Sequence, residues 1–117
     1  MACLTKDDIL KRGDAKKWEC VDVPEWGGHV NVRVMTARER DNLENRFKNS
    51  NVGYRAYLVA MLACDDDGKD LFDAADIPAL EEKSAAAMTR VVKVAMRING
   101  MTEESIEDAE KNSEAIQ

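Results

Sequence analysis

Val21-Asp22-Val23-Pro24-Glu25-Trp26-Gly27-Gly28-His29-Val30-Asn31-Val32-Arg33-Val34 is the stretch that decides the fold. Valines alternate with polar residues on either side of a Pro-to-Gly-Gly interruption, the period-two pattern of half-buried strands joined by a turn. A two-residue turn at Gly27-Gly28 sets Val23 opposite Val32 and Val21 opposite Val34, gathering four valines on one face. A lone two-stranded ribbon is marginal in water, so that face needs a helix, another strand or the hairpin of a second copy against it.

Helical signals flank the hairpin. Upstream, Leu4-Thr5-Lys6-Asp7-Asp8-Ile9 predicts a short helix: Thr5 caps, Asp7 and Asp8 suit the positive end of the dipole, and Leu4 and Ile9 stand at hydrophobic-staple spacing. Gly13 ends it within two turns. Downstream, Thr36-Ala37-Arg38-Glu39 is a capping box that opens a helix to about Lys48, with Leu43 and Phe47 on its apolar side. Tyr54, Leu58, Met61 and Leu62 restart the helical spacing, and Cys64 ends that helix. Asp65-Asp66-Asp67-Gly68-Lys69-Asp70 reads as a turn, and Asp73 or Asp76 caps a short helix carrying Ile77 and Leu80. From Ser84 the strongest helix sets Met88, Val91, Val92, Ala95 and Ile98 on one face and stops at Asn99-Gly100. Thr102-Glu103-Glu104 looks like a further cap with an acidic first turn, in which Ile106 and Ala109 offer some apolar surface. The expected architecture is α+β, a mostly helical bundle with an N-terminal β-hairpin. It forms a single domain over residues 1–110, followed by a flexible polar tail over 111–117.

Composition narrows the function. At 117 residues the chain suits one core, and with aromatics at 5% that core must be mainly aliphatic. A net charge of −6 repels phosphate backbones and anionic lipid, so neither nucleic acid nor membrane is an expected partner. Cys3, Cys20 and Cys64 have no CxxC spacing, and a reducing cytoplasm suits them. Residues 1–8 turn charged before any apolar run of signal-peptide length, and no run approaches the length of a membrane span.

The chemistry-bearing residues do not assemble into a catalytic or metal motif. Setting Gly68 at position 6 of an EF-hand loop puts Asp65 and Asp67 at positions 3 and 5, but Ala63 and Ala74 at 1 and 12, so an Asp-Gly turn is the better reading. His29 is the only histidine, next to a Gly-Gly turn; a small hydrolase built on it would lose activity in His29→Ala. The serines lack a nucleophile-elbow setting, and Gly27-Gly28 precedes a strand rather than a helix N-terminus. No enzyme and no cofactor is expected.

Surface residues carry more information. Trp26 at the hairpin tip either folds back on its own sheet or projects as an anchor for a partner. Arg90, Lys93 and Arg97 form a basic stripe opposite the apolar face of the strong helix, either solvated or docked on an acidic patch of another subunit. These four residues, Trp26, Arg90, Lys93 and Arg97, are the candidate partner-binding set. Met61, Met96 and Met101 are either core fillers or part of an adaptable surface, the core reading being favoured.

In order and spacing, a series of landmarks carries a resemblance. They are Leu4-Thr5-Lys6-Asp7-Asp8-Ile9, Val23-Pro24-Glu25-Trp26-Gly27-Gly28 with Val30-Asn31-Val32-Arg33, Thr36-Ala37-Arg38-Glu39-Arg40-Asp41, Asp67-Gly68-Lys69-Asp70-Leu71-Phe72, Asp76-Ile77, Glu82-Lys83-Ser84-Ala85-Ala86-Ala87 and Ile98-Asn99-Gly100-Met101. The succession resembles the small tail assembly chaperones of long-tailed bacteriophages and prophages. The resemblance implies a protein that binds the tape measure protein, helps recruit tail tube subunits, forms homo-oligomers, works in the cytoplasm of the bacterial host and is absent from the mature virion. It also implies that a ribosomal frameshift could yield a longer form. It supplies no catalytic residue and no partner-binding motif. The alternatives are a structural minor tail, tail completion or terminator protein, and a nucleic-acid-binding regulator with residues 36–48 and 54–64 as a helix-turn-helix. The latter is weakened by a long connection and by Arg55 as the sole base-reading cation of its second helix.

Overall fold

Two strands that each bury alternate residues need a cover, and the chain supplies both a third strand and a helix for it. The computed structural model describes residues 2–101; the helix expected from Thr102 and the tail expected from Lys111 lie outside the described residues. Strands β1 (Trp18–Val23) and β2 (Gly28–Arg33) form the antiparallel hairpin, and β3 (Ala63–Cys64) adds to the free edge of β2, giving the order β1-β2-β3. The sequence reading ran the preceding helix through Cys64. That helix instead ends at Leu62, and Ala63 and Cys64 pair with Val32 and Asn31. A ladder partner was waiting at β2, and a two-residue strand with no period of its own leaves no trace in the pattern.

The hairpin register also differs from the expected one. Val23 pairs with Gly28, Val21 with Val30 and Glu19 with Val32. Pro24, whose ring presets φ, opens a 3-10 turn over Pro24–Trp26, and Gly27 closes it in the left-handed region at φ 75°. The connection therefore takes four residues, 24–27, rather than two. Relative to the expected pairing the strands shift by four, an even number, so the valines keep to one face. Val21, Val23 and Val32 are buried, and Val30 and Val34 are half-buried.

Among the described residues the sheet is joined by five helices: α1 (Lys6–Leu10), α2 (Ala37–Arg46), α3 (Tyr54–Leu62), α4 (Ile77–Glu81, entered through a 3-10 turn at Ala74–Asp76) and α5 (Ala85–Ile98). The expected caps are present. Thr5 and Asp8, Thr36 and Glu39, and Asp73 and Asp76 make reciprocal capping boxes, while the Ser84 hydroxyl accepts from the N–H of Ala87. Helix α5 lies across the valine face of the hairpin and packs on α3, burying Ala87, Met88, Val91, Val92, Ala95 and Met96. Leu43, Leu58, Leu62, Val59 and Val91 are within 1% of full burial, which makes the core aliphatic as the low aromatic content requires. Three aromatics meet at the junction of α2 and α3, where the Phe47 ring meets Tyr54 and Tyr57 edge-on at 5.1 and 5.4 Å and Arg46 lies 4.6 Å over Tyr57. Met96 and Met101 are buried and Met61 is half-buried against the core, so these methionines fill gaps rather than form a surface.

Candidate protein-interaction surface

The candidate set lies along one side of the α5–hairpin layer. The 3-10 turn swings Trp26 back, so that it is half-buried against the core beside α5, the folded-back of its two expected positions. Its neighbour Glu25 accepts two contacts from Arg90 Nε, at 2.9 and 3.0 Å, and this hydrogen bond holds the Glu25 carboxyl below its ordinary range. Two turns along α5, Arg97 pairs with Glu19 of β1. The structure thus brings Trp26 and Arg90 together through Glu25, and turns two of the three stripe cations onto carboxylates of the same chain. Lys93, between them, is exposed and has no partner among the described residues. Solvent-exposed pairs of this kind are individually weak, enough to orient α5 on the hairpin without fixing it.

The opposite face of the sheet carries a second arrangement. The 65–70 loop folds over it: Asn31 Nδ2 donates to Asp66 Oδ1 at 2.7 Å, His29 Nε2 lies 3.4 Å from the same oxygen, and Arg33 reaches Asp70 at 3.3 Å. The hydrogen bonds from Asn31 and His29 keep the Asp66 carboxyl below its ordinary range. Asp65 does not point to a ligand. Its Oδ1 accepts the backbone N–H groups of Asp67 and Lys69, closing the Asp-Gly turn, and no group of three metal-ligating side chains converges among the described residues. Gly68 sits at φ 80° directly against the indole of Trp18, so that a Cβ there would lie 2.8 Å from the ring. Any other residue would displace Trp18.

Among the described residues Arg33 makes the fullest set of charged hydrogen bonds. Its guanidinium donates to both Glu39 oxygens at 2.9 and 2.6 Å and to the carbonyl of Met61 at 2.8 Å, at the base of a groove of about 240 Å³ that Tyr57, Met61, Asp70 and Ile77 also line. The Arg33 hydrogen bonds hold the Glu39 carboxyl at about 2. One ion pair therefore ties β2, the first turn of α2 and the end of α3 together. Sequence reasoning identified Glu39 as a cap and missed its second partner, because nothing in a linear pattern marks a residue six positions upstream as its counter-ion.

Sequence reasoning also passed over the exposed apolar residues. Leu4, Ile9, Leu10, Trp18, Val52 and Leu71 are 43% or more exposed, and α1 buries no residue at all. Trp18 was readable, since the alternation that sends Val21 and Val23 inward sends Trp18 out. No helix among the described residues is long and apolar enough to cross a membrane.

No family model matches the chain, and no curated protein matches it. Among solved structures, the tail assembly chaperone of bacteriophage HK97 shares the fold, with a TM-score of 0.63 over 84% of this chain and 95% of that one, at 20% identity.

Proposed function

We propose that this chain is a phage tail assembly chaperone that acts by binding other proteins rather than by catalysis. The observation that carries the reading is the fold likeness to the HK97 tail assembly chaperone, which spans nearly the whole of that chain. The ordered landmarks from Leu4 to Met101 support it independently, because the resemblance was legible without any structure. A surface that leaves several large apolar side chains in solvent suits a protein whose partners are other chains.

In this reading the chain binds the tape measure protein, helps recruit tail tube subunits, self-associates, and works in the host cytoplasm without entering the mature virion. Lys93, with Arg90 and Arg97 beside it, is the cationic part of the partner-binding surface, and Trp26 stiffens the edge behind it. Sedimentation velocity on the purified chain, alone and mixed with a fragment of the tape measure protein encoded nearby, tests this. A complex with the fragment is the expected result, and a monomer indifferent to it would overturn the reading. Recovery of the chain from purified virions would move it to the structural tail proteins.

A further inference from the structure

The two edges of the sheet are finished differently. On the far side of β3, Asp70 bridges to Cys64, and the N–H groups of Leu71 and Asp65 donate to the carbonyls of Ala63 and Lys69 at 3.0 and 2.9 Å. The loop after β3 therefore occupies that edge. At the other edge stands β1. The N–H of Val34 donates to the carbonyl of Lys17 at 2.9 Å, and Glu19, Val21 and Val23 continue the same alternation opposite Val32, Val30 and Gly28. By the parity of an antiparallel ladder, the N–H and C=O groups of the intervening Trp18, Cys20 and Asp22 point away from β2. None of these groups meets a partner among the described residues. The three side chains are exposed as well.

An open edge of this kind is a template for another strand, and natural sheets blunt it with proline, a bulge or lysine. Strand β1 has none of these: its register with β2 runs one to one, and Trp18–Val23 contains neither proline nor lysine. Because the β3 edge is occupied, a sheet shared by two copies joins β1 to β1, which makes the contact two-fold. One register uses every outward group. With the axis at Cys20, Cys20 faces Cys20 and Trp18 of each copy faces Asp22 of the other, so each outward N–H meets an outward carbonyl. Moving the axis to Val21 or Asp22 brings Pro24, which has no N–H, into the ladder. Moving it to Glu19 or Trp18 brings in Lys16, whose N–H already donates to the carbonyl of Gly13 at 3.2 Å. An axis at Glu19 also sets two carboxylates face to face.

We propose that two copies of this chain join their sheets into one through β1, antiparallel, about a two-fold axis at Cys20. The pairing also covers Trp18, 43% exposed in the single chain, which comes to lie diagonal to Cys20 of the other copy. A foreign strand would satisfy the same backbone groups; the match of β1 to its own reverse is what favours a second copy. The contact gives the self-association of the chaperone reading a surface, and its geometry does not depend on that reading.

Sedimentation velocity and thiol cross-linking on the full-length chain test it. A hydrogen-bonded antiparallel pair holds its Cα atoms about 5.5 Å apart, within reach of a disulfide, so Cys20 serves as a reporter. With Cys3 replaced by serine, oxidised glutathione is expected to join two copies through Cys20, two thiols giving one disulfide as one oxidised glutathione is reduced. The C3S/C20S chain is expected to stay unlinked. Cys20→Lys sets two ammonium groups opposite each other at the axis and, on an exposed side chain, leaves the fold intact. It is expected to weaken the dimer by roughly tenfold or more, with the exchange protection of the α5 amides unchanged. A parent chain that is monomeric at millimolar concentration would overturn the proposal. So would a dimer that Cys20→Lys leaves unchanged, a result that puts self-association on another surface and leaves the chaperone reading standing. Protection of the Trp18, Cys20 and Asp22 amides only on adding the tape measure fragment would give the edge to that protein and overturn the pairing as well.

Discussion

Helices α1 and α5 begin in the same way and end up differently. Each is capped by a hydroxyl, from Thr5 or Ser84, that accepts a backbone N–H of the first turn, and Thr5 even has the fuller capping box. Yet α5 runs 14 residues and buries six of them, while α1 runs five and buries none. Capping decides where a helix starts; burial decides whether it belongs to the core. An α1 detached from the core exposes apolar side chains that a folded domain would otherwise hide, and this is a part of the molecule free to engage something else.

The contrast can be broken at several points. The largest effect is expected from Met88→Ala, which opens a cavity beneath α5: a loss of about 2–5 kcal/mol in denaturant titration. Next comes Glu39→Gln, which removes the charge that the part-buried Arg33 grips with both ends of its guanidinium and leaves it the more exposed Asp70 and the Met61 carbonyl. Because the Glu39 carboxyl is held at about 2, below its ordinary 4.5, its stabilising contribution is full above pH 4.5 and is lost as pH falls toward 2. The gap in unfolding midpoint between parent and variant should therefore be widest near pH 7 and narrow steadily below pH 4.5. Ser84→Ala should cost about 1 kcal/mol, the usual worth of an N-cap that holds a core helix. The smallest effect belongs to Ile9→Ala, which should shift global stability by no more than about 1 kcal/mol, since it removes no core contact. A loss from Ile9→Ala as large as that from Met88→Ala would erase the distinction between the two helices.

Much of the fold was legible because its signals are local. The cap at Thr5, the capping box at Thr36, the apolar stripe of α5 and the alternation around Val21 and Val32 each lie within a few residues of what they control. The hairpin was readable as a hairpin but not in its register, because Gly27-Gly28 is a strong turn signal and Pro24 a stronger constraint acting three residues earlier. Of the candidate surface, the stripe Arg90, Lys93 and Arg97 was visible as one helical face. That Glu25 and Glu19 would neutralise two of its three charges was not, since those carboxylates lie 65 and 78 positions away.

By itself the sequence determined the helix starts, the side to which each valine turns and the aliphatic core. These follow from periodicities and caps that span one or two turns of backbone. Tertiary structure alone decided that Ala63 and Cys64 complete a sheet, that Arg33 binds Glu39, that Trp26 lies back on the core and Trp18 on Gly68, and that Lys17 and Asn99 meet the same three residues of backbone. Each of these joins positions that chain connectivity leaves far apart. Their pairing is set by which unpaired edges, charges and apolar faces the folded helices bring within reach.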